Sequence, residues 1–338
     1  MKKFLLLFLF VLSLTSLRGQ EVSEKEMVID SLVSLGIAYH DAGEYKKAIR
    51  LYEEALKIDP ESEVIQYEIA ISLVETGDYY GAIELCDRLI ERDDKFALLA
   101  YNTKGSCLNY LGKTDEAIDN YLEGISKSDE FYLLYYNLGL AYHTKGELAL
   151  AEEAFLQTIG LNPQYGNAHL NLARTMIRMN RRVESLLALY YYLLIEPVSE
   201  NTEWAYNNLT LLLNLNTLPE GVEDVIDESL SDLETVDVIL SRLAIINARE
   251  IDTEKTEVEK LIRSTNAFFS SLGDIKKKNK PQGFWWDFYV PFYAHIHSWN
   301  YVNVYCHYIS RYYFDYSTEW LNQNSVKLKA FSDWLKRL

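Results

Sequence analysis

The sequence has little cysteine, and its few cysteines are too scattered for a disulfide framework. Three occur in 338 residues. An odd and sparse set excludes the small folds that disulfides hold together. Cys86 and Cys107 fall at apolar helix positions, so we expect buried free thiols there, and a Cys86–Cys107 disulfide is the alternative.

The sequence also lacks a long apolar run after its first twenty residues. The nearest candidate is 288–310, which contains no Asp, Glu, Lys or Arg. It does contain three histidines and two asparagines, and these groups are too polar for a hydrocarbon environment. We therefore expect no stable membrane span once the N-terminal segment is removed.

Positive charge is in short supply. The chain has 33 Lys and Arg against 50 Asp and Glu, which gives a net charge of −17. A surface this acidic repels phosphate backbones, so we expect no nucleic-acid partner. The imbalance lies in the earlier part of the chain, because residues 275–338 hold nine basic and four acidic residues.

Catalytic and metal-binding signatures are missing as well. The sequence contains no H-E-x-x-H, no G-x-S-x-G, no phosphate-binding glycine loop and no C-x-x-C. His295 and His297 are two positions apart, so on a helix they point to different faces and do not share a metal. We predict a non-enzymatic protein with no cofactor, and a hydrolase with scattered carboxylates is the alternative.

The first twenty residues, MKKFLLLFLFVLSLTSLRGQ, form a distinct segment. Two lysines precede an apolar run from Phe4 to about Leu17, and small or polar residues follow. This pattern is typical of a secretory signal peptide, so we predict that residues 1–19 are removed near Gly19. An uncleaved anchor is the alternative, although the run is short for a membrane span. We expect an exported chain, periplasmic or secreted, from a Gram-negative bacterium.

What the sequence has in abundance is internal repetition. A small residue recurs in steps of 34, 35, 34 and 34 positions, and other residue types follow it at fixed distances. The small residues are Gly36, Ala70, Gly105, Gly139 and Ala173. Seven positions later stand Gly43, Gly77, Gly112, Gly146 and Asn180. Sixteen positions later stand Tyr52, Cys86, Tyr121, Phe155 and Leu189.

This spacing predicts an all-α fold built from helical hairpins. Each unit contains two runs with apolar residues three and four positions apart, which is typical of two amphipathic helices. The Gly or Asn between the runs suits a left-handed helix end. The small residue allows a neighbouring helix to approach closely. Because one hairpin cannot bury its own apolar face, the units must stack.

The pattern resembles the tetratricopeptide repeat family over residues 29–199, with repeats that start near residues 29, 63, 98, 132 and 166. A degenerate sixth repeat begins at Asn201, with Trp204 and Leu211 in two of its apolar positions. The resemblance implies a helical solenoid. It also implies a concave groove, lined by the first helix of each pair, that binds a protein or peptide.

The family register assigns residues to that groove. We predict that the partner contacts Tyr67, Ile71, Asn102, Asn109, Tyr136, Leu140, His143, Asn171, Arg174 and Arg178, and we place Leu170 on the same face. Some family members clamp a carboxylate in their early repeats, but those positions here hold Ile37, Ile71, Ser106 and Leu140. The sequence instead predicts an anion site in the fifth repeat, formed by Asn171, Arg174 and Arg178. The alternatives are that Tyr136 and Leu140 pack internally and that the arginines pair with carboxylates of the chain.

The last third of the chain continues as helix and then becomes aromatic. Residues 200–273 predict the degenerate repeat and a helical extension whose last helix runs from about Thr253 and ends at Gly273. Residues 274–283 predict a basic polar loop. An aromatic-rich helical region, 284–338, follows, and sixteen of its first 37 residues are Phe, Trp or Tyr.

Three interpretations of the aromatic region compete. We favour a packed helical cap, because a helix that is apolar on all sides is usually buried. The others are a surface that binds carbohydrate or an envelope polymer and a belt at a membrane interface. The whole sequence predicts a scaffold of the bacterial envelope that binds a protein or peptide segment, and it leaves the oligomeric state open.

Overall fold

The structure is a computed structural model that describes residues 24–93, 95–215, 230–249 and 256–337. The predicted signal peptide, residues 1–19, lies outside the described residues. Regular structure in the described ranges is helical, with no strand. The prediction of an all-α fold is confirmed.

The helices are short and follow one another through tight turns. Their bounds, in chain order, are α1 (24–41), α2 (Tyr45–Ile58), α3 (Glu63–Thr76), α4 (Tyr79–Arg92), α5 (Ala97–Tyr110), α6 (Thr114–Lys127), α7 (Tyr132–Lys145), α8 (Leu148–Leu161), α9 (Gly166–Arg178), α10 (Arg182–Ile195), α11 (Thr202–Leu213), α12 (Asp232–Arg249), α13 (Glu257–Asn279), a π-helical turn (Trp285–Tyr289), α14 (Val290–Ser298), α15 (Val302–Ser310), α16 (Asp315–Gln323) and α17 (Ser325–Leu335).

The chain divides into two compact units. The first unit extends to Ala141 and the second begins at Tyr142, so the division falls inside α7. We predicted a boundary at residue 199, after the fifth repeat. In the structure the fifth repeat lies in the second unit together with the aromatic C-terminal region, and the boundary at residue 199 stays a prediction.

In the first unit, the small residue of the repeat has the role that its position predicts. A Cβ atom added at Gly36 would overlap the ring of Tyr52, and one added at Gly105 would overlap the ring of Tyr121. Both tyrosines are fully buried. The residue sixteen positions after the small residue of each repeat thus packs against the backbone of the preceding helix. This contact explains why both positions recur together.

The residue seven positions after the small residue of each repeat ends the first helix of the pair, and its φ angle lies in the left-handed region. Gly43, Gly77, Gly112 and Gly146 have φ angles of 75°, 80°, 76° and 88°, and Asn180 has a φ angle of 58°. Glycine adopts this conformation without steric cost, and asparagine is the side chain that tolerates it best. The predicted left-handed helix ends are confirmed.

In the second unit, α10 is the centre of the core. Twelve of its fourteen residues are buried, including Tyr190, Tyr191 and Tyr192. Aromatic residues from later helices reach its main chain: the Tyr293 hydroxyl donates to the Leu187 carbonyl at 2.6 Å, and the Tyr305 hydroxyl donates to the Tyr190 carbonyl at 2.8 Å. The aromatic region is therefore a packed layer on α10, as the favoured interpretation predicted.

This packing counts against the aromatic ligand surface. Trp285 and Trp286 are only 7% and 6% exposed, so they do not present their faces to a sugar or polymer. The indole Nε1 of Trp285 instead donates to Glu152 at 2.8 Å. All three cysteines are buried and free, which confirms the expected thiols and contradicts the Cys86–Cys107 disulfide.

Two predicted features near residue 273 are wrong. Helix α13 begins at Glu257, where Thr256 and Glu259 form a capping box, and it continues through Gly273 to Asn279. Gly273 is buried inside the helix, close to Ala294 of α14, so it serves packing rather than termination. Residues 274–279 are thus helical and not a loop, and their lysines lie in the last turn, where cations are favoured.

Candidate functional site

The predicted groove residues of the first unit lie on the first helices of successive repeats. All six, Tyr67, Ile71, Asn102, Asn109, Tyr136 and Leu140, are half-buried. Their polar members bond to the structure around them. The Asn137 amide donates to Asn102 at 2.6 Å, the Asn109 amide donates to the Tyr121 hydroxyl at 3.5 Å, and the Tyr67 hydroxyl lies 3.4 Å from that of Thr103.

These contacts show what the three polar side chains Tyr67, Asn102 and Asn109 do within the chain itself. The bond between Asn102 and Asn137 joins α5 to α7, and that between Tyr67 and Thr103 joins α3 to α5. Asn102 and Tyr67 therefore hold neighbouring first helices together, whereas Asn109 bonds to α6 of its own repeat. Their role in partner binding stays a prediction.

The second unit holds the predicted anion site, and here the structure brings the residues together. The Arg174 guanidinium donates to Asn171 at 3.2 Å and to Asn201 at 2.9 Å. It also lies 4.8 Å from the centre of the Trp204 ring. Two amides and an aromatic face thus hold this guanidinium in one orientation.

Arg178 stands one turn further along α9 and is exposed. Its guanidinium donates to the backbone carbonyl of His143 at 2.6 Å. The His143 ring lies 2.8 Å from the Thr175 hydroxyl. His143, Asn171, Arg174 and Arg178 therefore form one polar surface, which we call the arginine surface, together with Asn201 and Trp204 of the degenerate sixth repeat.

Arg174 and Arg178 bring two positive charges to the arginine surface. Within the described ranges, neither Arg174 nor Arg178 forms an ion pair with a carboxylate, although acidic residues dominate the chain. Burial lowers the pKa of His143, and the charges of Arg178 and Arg174 lower that pKa further. Among the described residues, the alternative that the two arginines pair with carboxylates of the chain finds no support.

One residue that we placed on this face lies elsewhere. Leu170 is 1% exposed and belongs to the core of the second unit. The predicted register treats every first helix alike, but α9 is covered more fully than the earlier ones because the aromatic region packs nearby. His169, its neighbour, contacts Tyr289 of that region.

His169, which the sequence did not single out, has a structural role. His169 is buried, and its Nε2 lies 2.9 Å from the Pro163 carbonyl. Because a carbonyl only accepts, Nε2 carries the proton and Nδ1 accepts from the Tyr289 hydroxyl at 2.7 Å. No cluster of three or more His, Cys, Asp or Glu suited to a metal ion occurs in the part of the chain that the structure describes.

Repeated two-helix units with a face of half-buried polar groups define a class, the helical-hairpin repeat proteins. Comparison with known families makes this more specific. Two models described as tetratricopeptide repeat match residues 39–101 and 132–165, and a model described as TPR repeat matches residues 105–146. Residues 39–165 therefore belong to the tetratricopeptide repeat family.

Curated relatives match only parts of the chain. A BBSome complex member BBS4 homolog of Drosophila melanogaster is 23% identical over 145 residues, 43% of this chain and 30% of that protein. A TPR repeat-containing protein of Methanocaldococcus jannaschii is 28% identical over 33% of this chain and 19% of its own length. Stress-induced-phosphoprotein 1 of Caenorhabditis elegans is 36% identical over 18% of this chain and 19% of its own length. The chain thus spans less than a third of each of these relatives.

Solved structures show a similar extent of likeness. A thermophilic TPR protein of Thermus thermophilus is 22% identical, with a TM-score of 0.47, and the match covers 54% of this chain and 99% of that one. YrrB, described as a TPR protein with an unusual peptide-binding site, is 16% identical with a TM-score of 0.39, and the match covers 52% and 89%. In the described residues, no helix has the length and apolar character that crossing a bilayer requires.

Proposed function

We propose that this chain is a non-catalytic scaffold that binds a segment of a partner protein on the first-helix face of its repeats. Tetratricopeptide repeats generally mediate protein–protein interaction, which supports the class of function. The observation that carries the proposal is the arginine surface: Arg174 and Arg178 carry positive charge and pair with no carboxylate of the described residues.

The partner segment in this proposal is acidic. A guanidinium that amides and an indole already orient loses little freedom when it binds a carboxylate, and a charge-assisted bond results. The rest of the chain is acidic and repels acidic segments. An acidic partner is therefore expected to bind at the arginine surface and not elsewhere on the chain. The proposed partner is therefore a peptide with Asp, Glu or a free carboxyl terminus that meets Arg174 and Arg178.

The test is selection from a random peptide library against the full chain. We expect enrichment of acidic peptides whose binding falls in the double variant Arg174→Ala, Arg178→Ala. Removal of two charge-assisted bonds should weaken binding by roughly 100-fold or more. The matched control is Arg88→Ala, which removes an exposed arginine from α4, where it pairs with Glu84.

Two outcomes count against the proposal. One is that the selected peptides bind the Arg174→Ala, Arg178→Ala variant as well as the unaltered chain. The other is that the Arg88→Ala variant loses as much affinity as the double variant, because the effect would then follow net charge and not this surface. Circular dichroism of each variant checks that the fold is kept.

We also propose that the protein acts outside the cytoplasm, in the periplasm or after secretion. The two lysines and the apolar run of the first twenty residues support this. N-terminal sequencing of the chain isolated from its native host tests it: a mature end near Gly19 is expected. A chain that keeps Met1 and fractionates with cytoplasmic proteins contradicts export.

A further inference from the structure

The second unit contains a cavity that the groove hypothesis does not use. Its volume is about 770 Å³, and it is partly open to solvent. The turn before α9, the end of α10, helix α14 and the last helix, α17, surround it. Small-molecule sites in proteins commonly have volumes of roughly 300 to 1,000 Å³, so this cavity falls in their range.

The walls of the cavity are mainly apolar. Leu194 and Ile195 of α10, Phe288 and Phe292 of the aromatic region, and Leu335 of α17 line it. Phe292 is held in place by Trp334, whose ring stacks on it with the centroids 5.7 Å apart. These side chains offer a preformed surface for a hydrocarbon chain, because burial of apolar area drives binding there.

The Tyr191 hydroxyl in the wall has no hydrogen-bond partner among the described residues. Tyr191 is 8% exposed, and its ring packs against His169, Phe288 and Phe292 with centroids 4.5, 5.3 and 5.1 Å away. Its hydroxyl makes no hydrogen bond to any residue in the described ranges, whereas the buried hydroxyls of Tyr293, Tyr305 and Tyr190 each have a partner. Tyr191 lines the cavity, so its hydroxyl is placed to donate a hydrogen bond to a ligand there.

The charge of the lining is positive. Lys336 contributes this charge, and none of the described lining residues is Asp or Glu. Lys336 is exposed and forms no ion pair within the described ranges. An unpaired lysine beside an apolar cavity, in a chain of net charge −17, favours a ligand that brings its own negative charge.

From these features we propose that the cavity binds a free single-chain carboxylic acid. The hydrocarbon chain lies against Leu194, Phe288 and Phe292, Lys336 supplies the positive charge for the carboxylate, and Tyr191 supplies a neutral donor. A cavity of this size accommodates one chain of a small amphiphile and not a folded protein segment. The site is separate from the arginine surface and does not depend on it.

The test is calorimetric titration of the full chain with decanoate, below the concentration at which it forms micelles. The matched ligands are decanol, which lacks the charge, and decyltrimethylammonium, which reverses it. We expect one decanoate per chain, weaker binding of decanol and no saturable binding of the cation. Binding of all three with equal affinity would overturn the proposal, because hydrophobic adsorption alone would then account for it.

Variants locate the binding site. We expect Lys336→Glu to weaken decanoate binding by about three- to tenfold, since one exposed charge pair is lost and a repulsion is added. Lys329→Glu makes the same change of charge on α17 at a residue that does not line the cavity, and it should leave the affinity within about twofold. Equal losses in the two variants would overturn the assignment of the site.

A second variant addresses the cavity itself. Leu194→Trp fills space between α10 and the aromatic region, so stoichiometric decanoate binding should disappear while tryptophan fluorescence still shows a cooperative unfolding transition. If this variant fails to fold, Tyr191→Phe replaces it. That change removes only the hydroxyl, and a loss of about three- to tenfold for decanoate with none for decanol is expected. Full decanoate affinity in Tyr191→Phe and in Lys336→Glu would refute the proposal.

Discussion

Helices α6 and α10 occupy the same place in their repeats but have different surroundings. In the first unit, α6 buries Ala117, Ile118, Asn120, Tyr121 and Gly124, and the rest of the helix remains accessible. In the second unit, α10 buries twelve of fourteen residues. The repeat pattern alone requires only one apolar face, and α6 shows that minimum. Helix α10 is apolar on its other faces because the aromatic region covers them.

The difference shows that the two helices of the fifth repeat, α9 and α10, pack in two different ways. Its first helix keeps the polar face of the family, with Arg174 and Arg178. Its second helix offers Tyr190 to Phe268, Phe269, Tyr293 and Tyr305, whose ring centroids lie 5.1 to 6.1 Å away. All six tryptophans follow Ala141 in the sequence, so tryptophan fluorescence reports on the second unit alone.

The largest expected effect comes from the aromatic core of the second unit. Phe269 is fully buried between Tyr190 and Tyr293, so Phe269→Ala should lower the free energy of unfolding by about 3–5 kcal/mol. Trp299→Ala, at a residue 61% exposed, should change it by less than about 0.5 kcal/mol. Urea unfolding followed by tryptophan fluorescence measures both. Similar losses in the two variants would mean that the aromatic region is not a packed layer.

The second prediction is that acid weakens the second unit through His169. Burial lowers the pKa of His169 to about 4 from 6.5. The folded state therefore prefers the neutral ring, and this contribution is complete above about pH 6.5 and is lost as the pH falls towards 4. Between about pH 7 and about pH 5 the loss should be about 2 kcal/mol.

The control for this effect is the His169→Gln variant, which has no titrating ring. It should lose less stability than the unaltered chain over the same pH interval, in unfolding followed by tryptophan fluorescence. His307, whose pKa burial also lowers to about 4, is present in both proteins, and its contribution cancels in the difference. Equal pH dependence of the two proteins would show that His169 is not the group responsible.

In a third comparison, two glycine-to-alanine substitutions should change the free energy of unfolding in opposite directions. Gly105→Ala places a methyl group in the space of the Tyr121 ring, so it should destabilise the first unit by about 1–3 kcal/mol. Gly160→Ala, in α8 of the second unit, meets only the Phe284 ring at 3.9 Å and should stabilise by roughly 0.5 kcal/mol. Far-UV circular dichroism measures the first variant and tryptophan fluorescence the second. Two effects of the same sign would contradict the packing role of Gly105.

The smallest effect concerns two tyrosines of the second unit that differ in their hydrogen bonds. Tyr293→Phe removes a hydroxyl that donates to the Leu187 carbonyl, and it should cost about 0.5–1.5 kcal/mol. Tyr191→Phe removes a hydroxyl without a partner, and stability should stay the same or rise by a few tenths of a kcal/mol. Urea unfolding of both variants and of the unaltered chain measures the two changes in the free energy of unfolding. A cost for Tyr191→Phe equal to that for Tyr293→Phe would mean that its hydroxyl is bonded in the folded chain.

Much of the fold was predictable because the repeat is local. Apolar residues three and four positions apart predict helices, and the Gly at each hairpin has the left-handed φ angle that its position predicts. The prediction failed at Gly273, where the residue type was interpreted as a stop signal although it serves close packing beside Ala294. The capping box at Thr256 and Glu259 was the available sign of where that helix begins.

The candidate sites were predictable to different degrees. Arg174, Arg178 and Asn171 share a helix, so their spacing alone places them on one face. Asn201 and Trp204, which orient Arg174, lie in the next helix pair, and the resemblance indicated only that a degenerate repeat begins there. The cavity at Tyr191 had no signal in the sequence, because its walls come from segments far apart in the chain.

The sequence by itself determined the period of the repeat, the helices within it and the charge of the surface. These properties depend on residues a few positions apart, so the pattern contains them. Only the tertiary structure decided that the aromatic region covers α10, that Tyr191 faces a cavity and that His169 bonds to Tyr289, a residue 120 positions later. The physical reason is that such contacts depend on packing between distant segments, and a local apolar period shows that a face is buried without showing what buries it.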